Sequence, residues 1–282
     1  MTLQIDDIQR LAAFQDGGTG GNPAGIALVE RMPEEDTMRR LAAEVGYSET
    51  AFAHPEDNAW RVRYFSPESE VPFCGHATIA LGAALAMREG DGTFELRLNQ
   101  ATITVNGRGG PDAPRASLQS PATSSEPADD ELVERALALF DYDRSMLNPS
   151  LPPLLARAGA THLVLGLRTR EALAAMNYEL DAGRTLMRDA QLVTIALVHS
   201  RDADNYDVRN AFASGGVLED PATGAAAAAF AGALRDRNLR GIAPMRLVQG
   251  EDMGARSVIV AEPGVTRGGS VRVSGAVRSM IS

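Results

Sequence analysis

Apolar and polar side chains alternate along several short stretches of the chain and recur with a helical period along others. Residues 60–65 alternate apolar side chains with arginines, which predicts a strand with one buried face. Residues 34–45 carry Met38, Leu41 and Val45 at helical spacing, which predicts an amphipathic helix. Further short strands are predicted at residues 11–14, 25–29, 51–53, 93–98, 101–105, 162–167, 192–199, 207–213, 245–249, 257–261 and 270–273.

Two segments rich in alanine and glycine, residues 75–87 and 223–235, are apolar on all sides. A helix of this kind is typical of a core position, where neighbouring strands approach closely. Each segment follows strands and a turn with acidic, Pro and Gly residues, so the two halves of the chain look alike. We therefore predict an α+β fold of two similar domains, each a curled β-sheet or barrel around a central helix. A doubly wound sheet is the alternative, but many strands and few helices argue against it.

The predicted domain boundary lies in residues 119–130, QSPATSSEPADD, which are rich in Pro, Ser, Thr and acidic residues. A helix is predicted to begin near Glu131. The expected domains are therefore residues 1–120 and residues 121–282, and the last strand could return to the N-terminal domain.

Charge and composition exclude several classes of function. The net charge of −10 disfavours binding to nucleic acid or to anionic lipid. All 27 basic residues are arginine, so a Schiff-base lysine and a Walker A loop are both excluded. The single cysteine, Cys74, excludes an intrachain disulfide and fits a reducing compartment. The polar N-terminus and the lack of a long apolar run favour a cytoplasmic protein without a membrane partner.

Familiar nucleotide, metal and hydrolase motifs are missing. The loop Gly17–Gly25 departs from G-x-G-x-x-G, which favours a plain turn, although Asn22 and Pro23 could still shape the wall of a pocket. The four histidines lack ligand spacing and one cysteine cannot form a multi-thiolate site, so no metal site is expected. No G-x-S-x-G elbow occurs.

Three segments carry residues suited to acid–base chemistry. FCGHAT, residues 73–78, places Cys74 and His76 at a predicted helix N-terminus, and EDPATG, residues 219–224, does the same for Asp220. Free N–H groups at such ends favour a bound carboxylate. Simple capping by Asp220, with Pro221 at the first helical position, explains that pattern equally well.

The third segment, YSETAF, contains a glutamate between a predicted helix end and an apolar strand start. Partial desolvation would raise the pKa of this residue, Glu49, which suits general acid–base catalysis. A solvated loop glutamate is the alternative.

Taken in order, GNPAG, SETAF, RYFSPESEVPFCGHAT, VRNAFASGGVLEDPATGAAAAA and QGEDMGARSVIVA resemble the PhzF-like family, named for the phenazine-biosynthesis isomerase. The match runs from about residue 7 to 277. The resemblance implies the diaminopimelate-epimerase fold, with two pseudo-symmetric domains. It also implies a homodimer and cofactor-independent proton transfer to and from a small carboxylic acid, in a cleft between the domains.

The resemblance also implies roles for single residues. Glu49 matches the family's acid/base, and His76 and Asp220 match catalytic positions that hold polar groups of the substrate. The implied substrate-binding residues are Asn22, Ser48, Cys74, Gly75, Thr223 and Gly224.

Two departures from relatives leave alternatives open. Related amino-acid epimerases use two cysteines, whereas this chain has Cys74 and Asp220 at the two positions. The phenazine enzyme itself lacks the cysteine of CGHAT, so the substrate stays open. The alternatives are an amino-acid or hydroxy-acid epimerase that uses Cys74 with Asp220, and a metabolite-binding protein without catalysis.

Overall fold

A computed structural model describes residues 3–110 and 114–280. The fold is mixed α+β, and the chain divides into two compact units. The first unit is Met1–Leu118 with Ser274–Ser282, and the second is Gln119–Val273. In the parts of the chain that the structure describes, no helix is both long and apolar enough to cross a membrane.

The first unit contains a closed barrel of eight strands. Neighbours around the ring are β1, β2, β3, β4, β6, β7, β8 and β16, and β16 pairs again with β1. The short strand β5 lies outside the ring and pairs with β4. The bounds are β1 Gln9–Ala13, β2 Asn22–Leu28, β3 Thr50–Glu56, β4 Ala59–Phe65, β5 Glu70–Val71, β6 Gly92–Arg97, β7 Thr102–Arg108, β8 Arg115–Gln119 and β16 Val271–Ser279.

Two helices complete the first unit, α1 (Glu35–Val45) and α2 (Gly75–Glu89). Residues 76–86 of α2 are buried, as its small side chains predict for a helix that strands approach closely. Helix α1 buries Met38 and Leu41 against a separate core cluster, as the helical spacing predicts. Both predicted helices are therefore confirmed.

The second unit arranges its strands in the order β15, β14, β13, β12, β11, β10 and β9. Its helix α6 buries residues 226–235, and strands β9, β10, β11 and β15 pack against it. Helices α3 and α5 cover apolar side chains of β11 and β12. The bounds are β9 Thr123–Pro127, β10 Leu154–Ala158, β11 Thr161–Leu167, β12 Thr194–Ser200, β13 Asn205–Ala211, β14 Met245–Gln249, β15 Ser257–Pro263, α3 Asp130–Leu139, α4 Arg170–Ala174, α5 Leu180–Asp189 and α6 Gly224–Asp236.

The segment in which the domain boundary is predicted, residues 119–130, contains strand β9. Thr123–Pro127 pairs antiparallel with β10, from Thr123 opposite Ala158 to Pro127 opposite Leu154. Thr123 is buried, and its hydroxyl accepts a hydrogen bond from the Arg235 guanidinium of α6. The polar composition gave no signal for this strand, because an edge strand keeps exposed Ser and Glu on its outer side.

Candidate active site

Glu49 lies on a short connection between helix α1 and strand β3. Helix α1 ends at Val45, and Gly46 adopts a left-handed conformation (φ 72°) that turns the chain toward β3. The amide of Gly25 on β2 donates a hydrogen bond to the carbonyl of Glu49 at 3.1 Å. This bond to β2 holds the Glu49 backbone in place, while the Glu49 side chain stays 20% exposed.

Cys74 and His76 lie at the start of the buried helix α2. Cys74 occupies the N-cap position and Gly75 is the first helical residue. The carbonyl of Cys74 accepts hydrogen bonds from the amide of Thr78 at 3.0 Å and from its hydroxyl at 2.6 Å. The Thr78 hydroxyl in turn pairs with the Tyr64 hydroxyl at 2.7 Å. This buried chain of hydrogen bonds fixes the first turn of the helix.

Three other predicted site side chains surround the imidazole of His76. Glu49 Oε2 lies 3.4 Å from His76 Nε2, and Ser48 Oγ lies 3.4 Å from the same nitrogen. Cys74 Sγ lies 3.3 Å from Nδ1 and 3.9 Å from Nε2. Both His76 and Cys74 are only 8% exposed. An imidazole between a carboxylate and a thiol can pass a proton between them, so the cluster suits acid–base chemistry.

Glu49, Cys74 and His76 together offer three kinds of metal ligand. One ligand atom each from Glu49, Cys74 and His76 can be chosen so that all lie within 4.8 Å of one another. Carboxylate, thiolate and imidazole are the usual protein ligands of zinc. The cluster is therefore also the part of the described chain that could hold a cation.

In the second unit, Asp220 and Thr223 lie just before helix α6. The helix begins at Gly224 with Thr223 at its N-cap position. The alternative in which Asp220 caps the helix, with Pro221 at its first position, is therefore wrong. Instead, the Thr223 hydroxyl donates a hydrogen bond to the carboxylate of Asp220.

Gln249 of β14 holds this second cluster in place, although sequence reasoning missed it. Its Nε2 donates to the carbonyl of Asp220 at 2.6 Å and to the hydroxyl of Thr223 at 3.0 Å, and its Oε1 accepts from the Thr223 amide at 3.3 Å. Gln249 is 2% exposed. The QG of the late QGEDMGARS segment was the only signal for it.

A buried ion pair anchors the residue that precedes Asp220. Arg209 Nη2 lies 2.5 Å from Glu219 Oε2, and its Nη1 donates to the carbonyls of Ala174 and Met176. Burial alone would lower the pKa of Arg209, but the bonds to Glu219 raise it above the ordinary arginine value. The amide of Asp220 itself donates to the carbonyl of Asn210 at 3.1 Å.

The remaining predicted residues have simpler positions. Asn22 is the buried first residue of β2, the strand whose Gly25 bonds the Glu49 backbone. Gly75 and Gly224 are the first residues of α2 and α6, where backbone N–H groups lack intrahelical acceptors. Within the first unit, the structure thus brings Ser48, Glu49, Cys74 and His76 together.

Comparisons with known proteins identify the family of this chain. The family model described as "Phenazine biosynthesis-like protein" matches residues 11–280. A relative from Deinococcus radiodurans, named an uncharacterized isomerase, is 32% identical over 290 residues and covers 97% of this chain and 92% of its own.

Two solved structures share the fold. A PhzF-family phenazine biosynthesis protein from Bacillus anthracis superposes with a TM-score of 0.84 at 19% identity, covering 97% of this chain and 96% of that chain. A hydroxyproline epimerase from Agrobacterium vitis gives a TM-score of 0.62 at 10% identity, with coverage of 97% and 88%. The epimerase-like architecture is therefore shared beyond the family.

Proposed function

Because this chain belongs to the phenazine biosynthesis-like (PhzF) family and is an isomerase of that family, we propose that it moves a proton at a carbon of a small carboxylic acid without a cofactor. The observation that carries the proposal is the contact of Glu49 with His76 at 3.4 Å, with Ser48 and Cys74 on the same imidazole. A positioned carboxylate next to a buried imidazole provides both a base and a group that can relay the proton.

In this mechanism, Glu49 removes the proton from a carbon next to an activating group. Its side chain is partly exposed and can therefore reach a ligand, whereas the buried His76 fixes its orientation. Negative charge that develops on the substrate is stabilised by the N–H groups at the start of α2, near Gly75. Glu49 or His76 then returns the proton to a different carbon, which makes the reaction an isomerisation.

We assign Asp220, Thr223 and Gly224 to the substrate-binding and acid–base machinery as well, and Asn22 to the substrate pocket. Support comes from the EDPATG motif and from the geometry within the second unit. Gln249 and Thr223 hold the backbone and carboxylate of Asp220, and the buried Arg209–Glu219 pair anchors the preceding residue. A carboxylate held this firmly can bind a polar group of the substrate in one orientation.

The test is proton NMR in D₂O with a panel of small carboxylic acids, including dihydro-hydroxyanthranilate and common amino acids. We expect deuterium to enter one compound with the wild-type protein. Glu49→Gln should slow this exchange by about 10²-fold or more, since it removes the base but keeps the size of the side chain. Glu44→Gln, which changes a half-exposed glutamate of helix α1, is the matched control and should leave exchange unchanged.

Full exchange activity in Glu49→Gln would contradict the assignment of the base. Binding of the substrate by the inactive variant, measured by calorimetry, separates lost catalysis from lost folding. Ligand binding without exchange in the wild-type protein would instead favour a metabolite-binding protein.

A second candidate function is an amino-acid or hydroxy-acid epimerase in which Cys74 and Asp220 are the two acid–base groups. The observation that favours it is the 3.3 Å contact between Cys74 Sγ and His76 Nδ1, which can promote formation of a thiolate. Under this candidate, exchange survives in Glu49→Gln and is lost in Cys74→Ala. The opposite result identifies the Glu49 isomerase.

Three further points belong to the same proposal. The protein is a homodimer, it acts in the cytoplasm, and its two units are copies of one epimerase-like domain. The third point is supported by the buried small-residue helix that strands surround in each unit. Light scattering of the purified protein tests the dimer, and cell fractionation tests the compartment.

A further inference from the structure

The cluster around His76 has the dimensions of a zinc site. With metal–ligand bonds of about 2.0–2.3 Å, two ligand atoms of a tetrahedral zinc ion lie roughly 3.3–3.6 Å apart. Glu49 Oε2 and His76 Nε2 are 3.4 Å apart, which falls within this range. Cys74 Sγ is 3.9 Å from the same nitrogen but 3.3 Å from Nδ1, so the Cys74 or His76 side chain must rotate before all three ligands can meet one ion.

The chemistry of the three ligands selects a thiophilic cation. A thiolate with an imidazole and one carboxylate suits Zn²⁺, whereas Mg²⁺ and Ca²⁺ prefer sites made of oxygen alone. The position of Cys74 at the N-terminus of α2 favours the negative charge of a thiolate. Three protein ligands also leave a fourth position for water, as in open zinc sites.

The surroundings of the cluster allow an ion to enter and to stay. Glu49 is 20% exposed and provides a path from solvent, whereas Cys74 and His76 are 8% exposed and hold their ligand atoms in a poorly hydrated place. The backbones of both ligand segments are fixed, by the Gly25–Glu49 hydrogen bond and by the Thr78–Cys74 bonds. Preformed ligands bind a metal with less ordering cost than mobile ones.

We propose that Glu49, Cys74 and His76 form a binding site for Zn²⁺, and that the bound ion inhibits the enzyme. Binding releases the thiol proton to the buffer, and the cation then takes the carboxylate and imidazole out of acid–base chemistry. The inhibition rests on the proposed function, but the binding does not. Sequence spacing predicts no metal site, because these ligands come from two segments that only the fold brings together.

Spectroscopy with Co²⁺ as a probe for zinc tests the site directly. Protein treated with a chelator and then exchanged into clean buffer is titrated with Co²⁺. We expect one equivalent to bind with a near-ultraviolet thiolate-to-cobalt charge-transfer band and visible bands of a tetrahedral ion, and stoichiometric Zn²⁺ to remove both. Excess Mg²⁺ should have no effect.

Variants locate the bound ion. Cys74→Ser should abolish the charge-transfer band and raise the Co²⁺ dissociation constant at least about 10-fold. Glu49→Gln and His76→Gln should weaken binding while a band remains. His54→Gln, which changes a partly exposed histidine on β3, is the matched control and should bind Co²⁺ like the wild type. Circular dichroism checks the folding of each variant.

Two results would overturn the inference. One is the lack of saturable Co²⁺ binding by the wild type, and the other is binding that persists unchanged in folded Cys74→Ser. Substrate exchange in the presence of a chelator reports separately on the proposed function. If exchange occurs without a charge-transfer band, the zinc site fails and the isomerase stands. If the band forms without any exchange, the zinc site stands and the proposed isomerase function fails.

Discussion

At the scale of single residues, His162 is a buried titratable group outside both candidate clusters. It lies on β11 with no exposed surface, and its Nδ1 shares a hydrogen bond of 2.7 Å with the hydroxyl of Thr194. Its Nε2 has no hydrogen-bond partner among the residues that the structure describes. Burial lowers the pKa of His162 from 6.5 to about 4, because the charged imidazolium would lose its hydration.

This lowered pKa predicts a loss of stability in mild acid. Above about pH 7.5 the imidazole is neutral in both states, so it adds no pH dependence. As the pH falls from 6.5 toward 4, the unfolded chain binds a proton that the folded chain does not, and the free energy of unfolding decreases. Between pH 8 and pH 5 we expect wild type to lose about 2 kcal/mol more than His162→Gln.

Urea unfolding of both proteins at the two pH values measures this difference. The comparison at pH 8 gives the structural cost of the substitution, so that only the change with pH reports on the imidazole. Equal losses of stability in the two proteins would mean that His162 is protonated in the folded state as easily as in the unfolded state.

The residues of the candidate site were predictable to different degrees. Glu49 was named from YSETAF, and Cys74 and His76 from FCGHAT. The structure places Glu49 and Cys74 beside the His76 imidazole. Their roles stay predictions until exchange is measured. Gln249 and the Arg209–Glu219 pair were missed, because their contacts depend on how distant strands and loops meet and leave no periodic signal in the sequence.

At the scale of elements, the contact of helix α2 with strand β7 depends on glycine. An ideal Cβ placed on Gly107 would lie 2.1 Å from the carbonyl oxygen of Gly82 and 2.9 Å from the Cβ of Ala86. The obstacle is helix backbone, which cannot rotate away as a side chain can. Gly107→Ala should therefore lower the free energy of unfolding by about 3 kcal/mol or prevent folding.

Gly92→Ala is the matched control for this contact. Gly92 lies opposite Gly107 in the β6–β7 ladder, but a Cβ there meets only the Phe94 ring at 3.8 Å. We expect its effect on stability to stay within about 0.5 kcal/mol in thermal or urea unfolding. Equal stability of the two variants would show that helix and strand are further apart than described.

Among the elements, periodicity predicted the long and strongly patterned ones. The helices predicted at residues 34–45, 75–87 and 223–235 are confirmed. The first was predicted from the helical spacing of its apolar side chains, and the other two from small apolar residues on all sides. Strands β9 and β10 were missed. The first has a polar outer side. The second, LLARA, begins with two adjacent leucines, so neither strand carries a clear alternation of apolar and polar residues. Helices α4 and α5 were missed as well.

At the scale of the whole molecule, closure of the barrel is the feature that local patterns do not encode. The mixed α+β class followed from many strands and two small-residue helices. The ring of eight strands, however, requires β16 near the end of the chain to pair with β1 near its start. Such a contact joins the most distant parts of the sequence, and its register is set by the packed fold.

The hydrogen bond of Val277 tests this closure. Val277 is buried on β16, lies opposite Ala13 of β1, and donates its amide to the carbonyl of Pro114 at 2.7 Å. Val277→Pro removes that donor in a strand with neighbours on both sides. We expect a loss of about 3 kcal/mol or more of unfolding free energy, together with faster hydrogen exchange in β8 and β16.

Val277→Ala separates the lost donor from the lost side chain. It creates a small cavity and should cost about 1–3 kcal/mol, but it keeps the amide, so protection of β8 and β16 should persist. Hydrogen exchange read by mass spectrometry distinguishes the two variants segment by segment. If β8 and β16 exchange at the wild-type rate in Val277→Pro, the last strand is not held in the ring. The return of the C-terminus to the first unit would then be wrong.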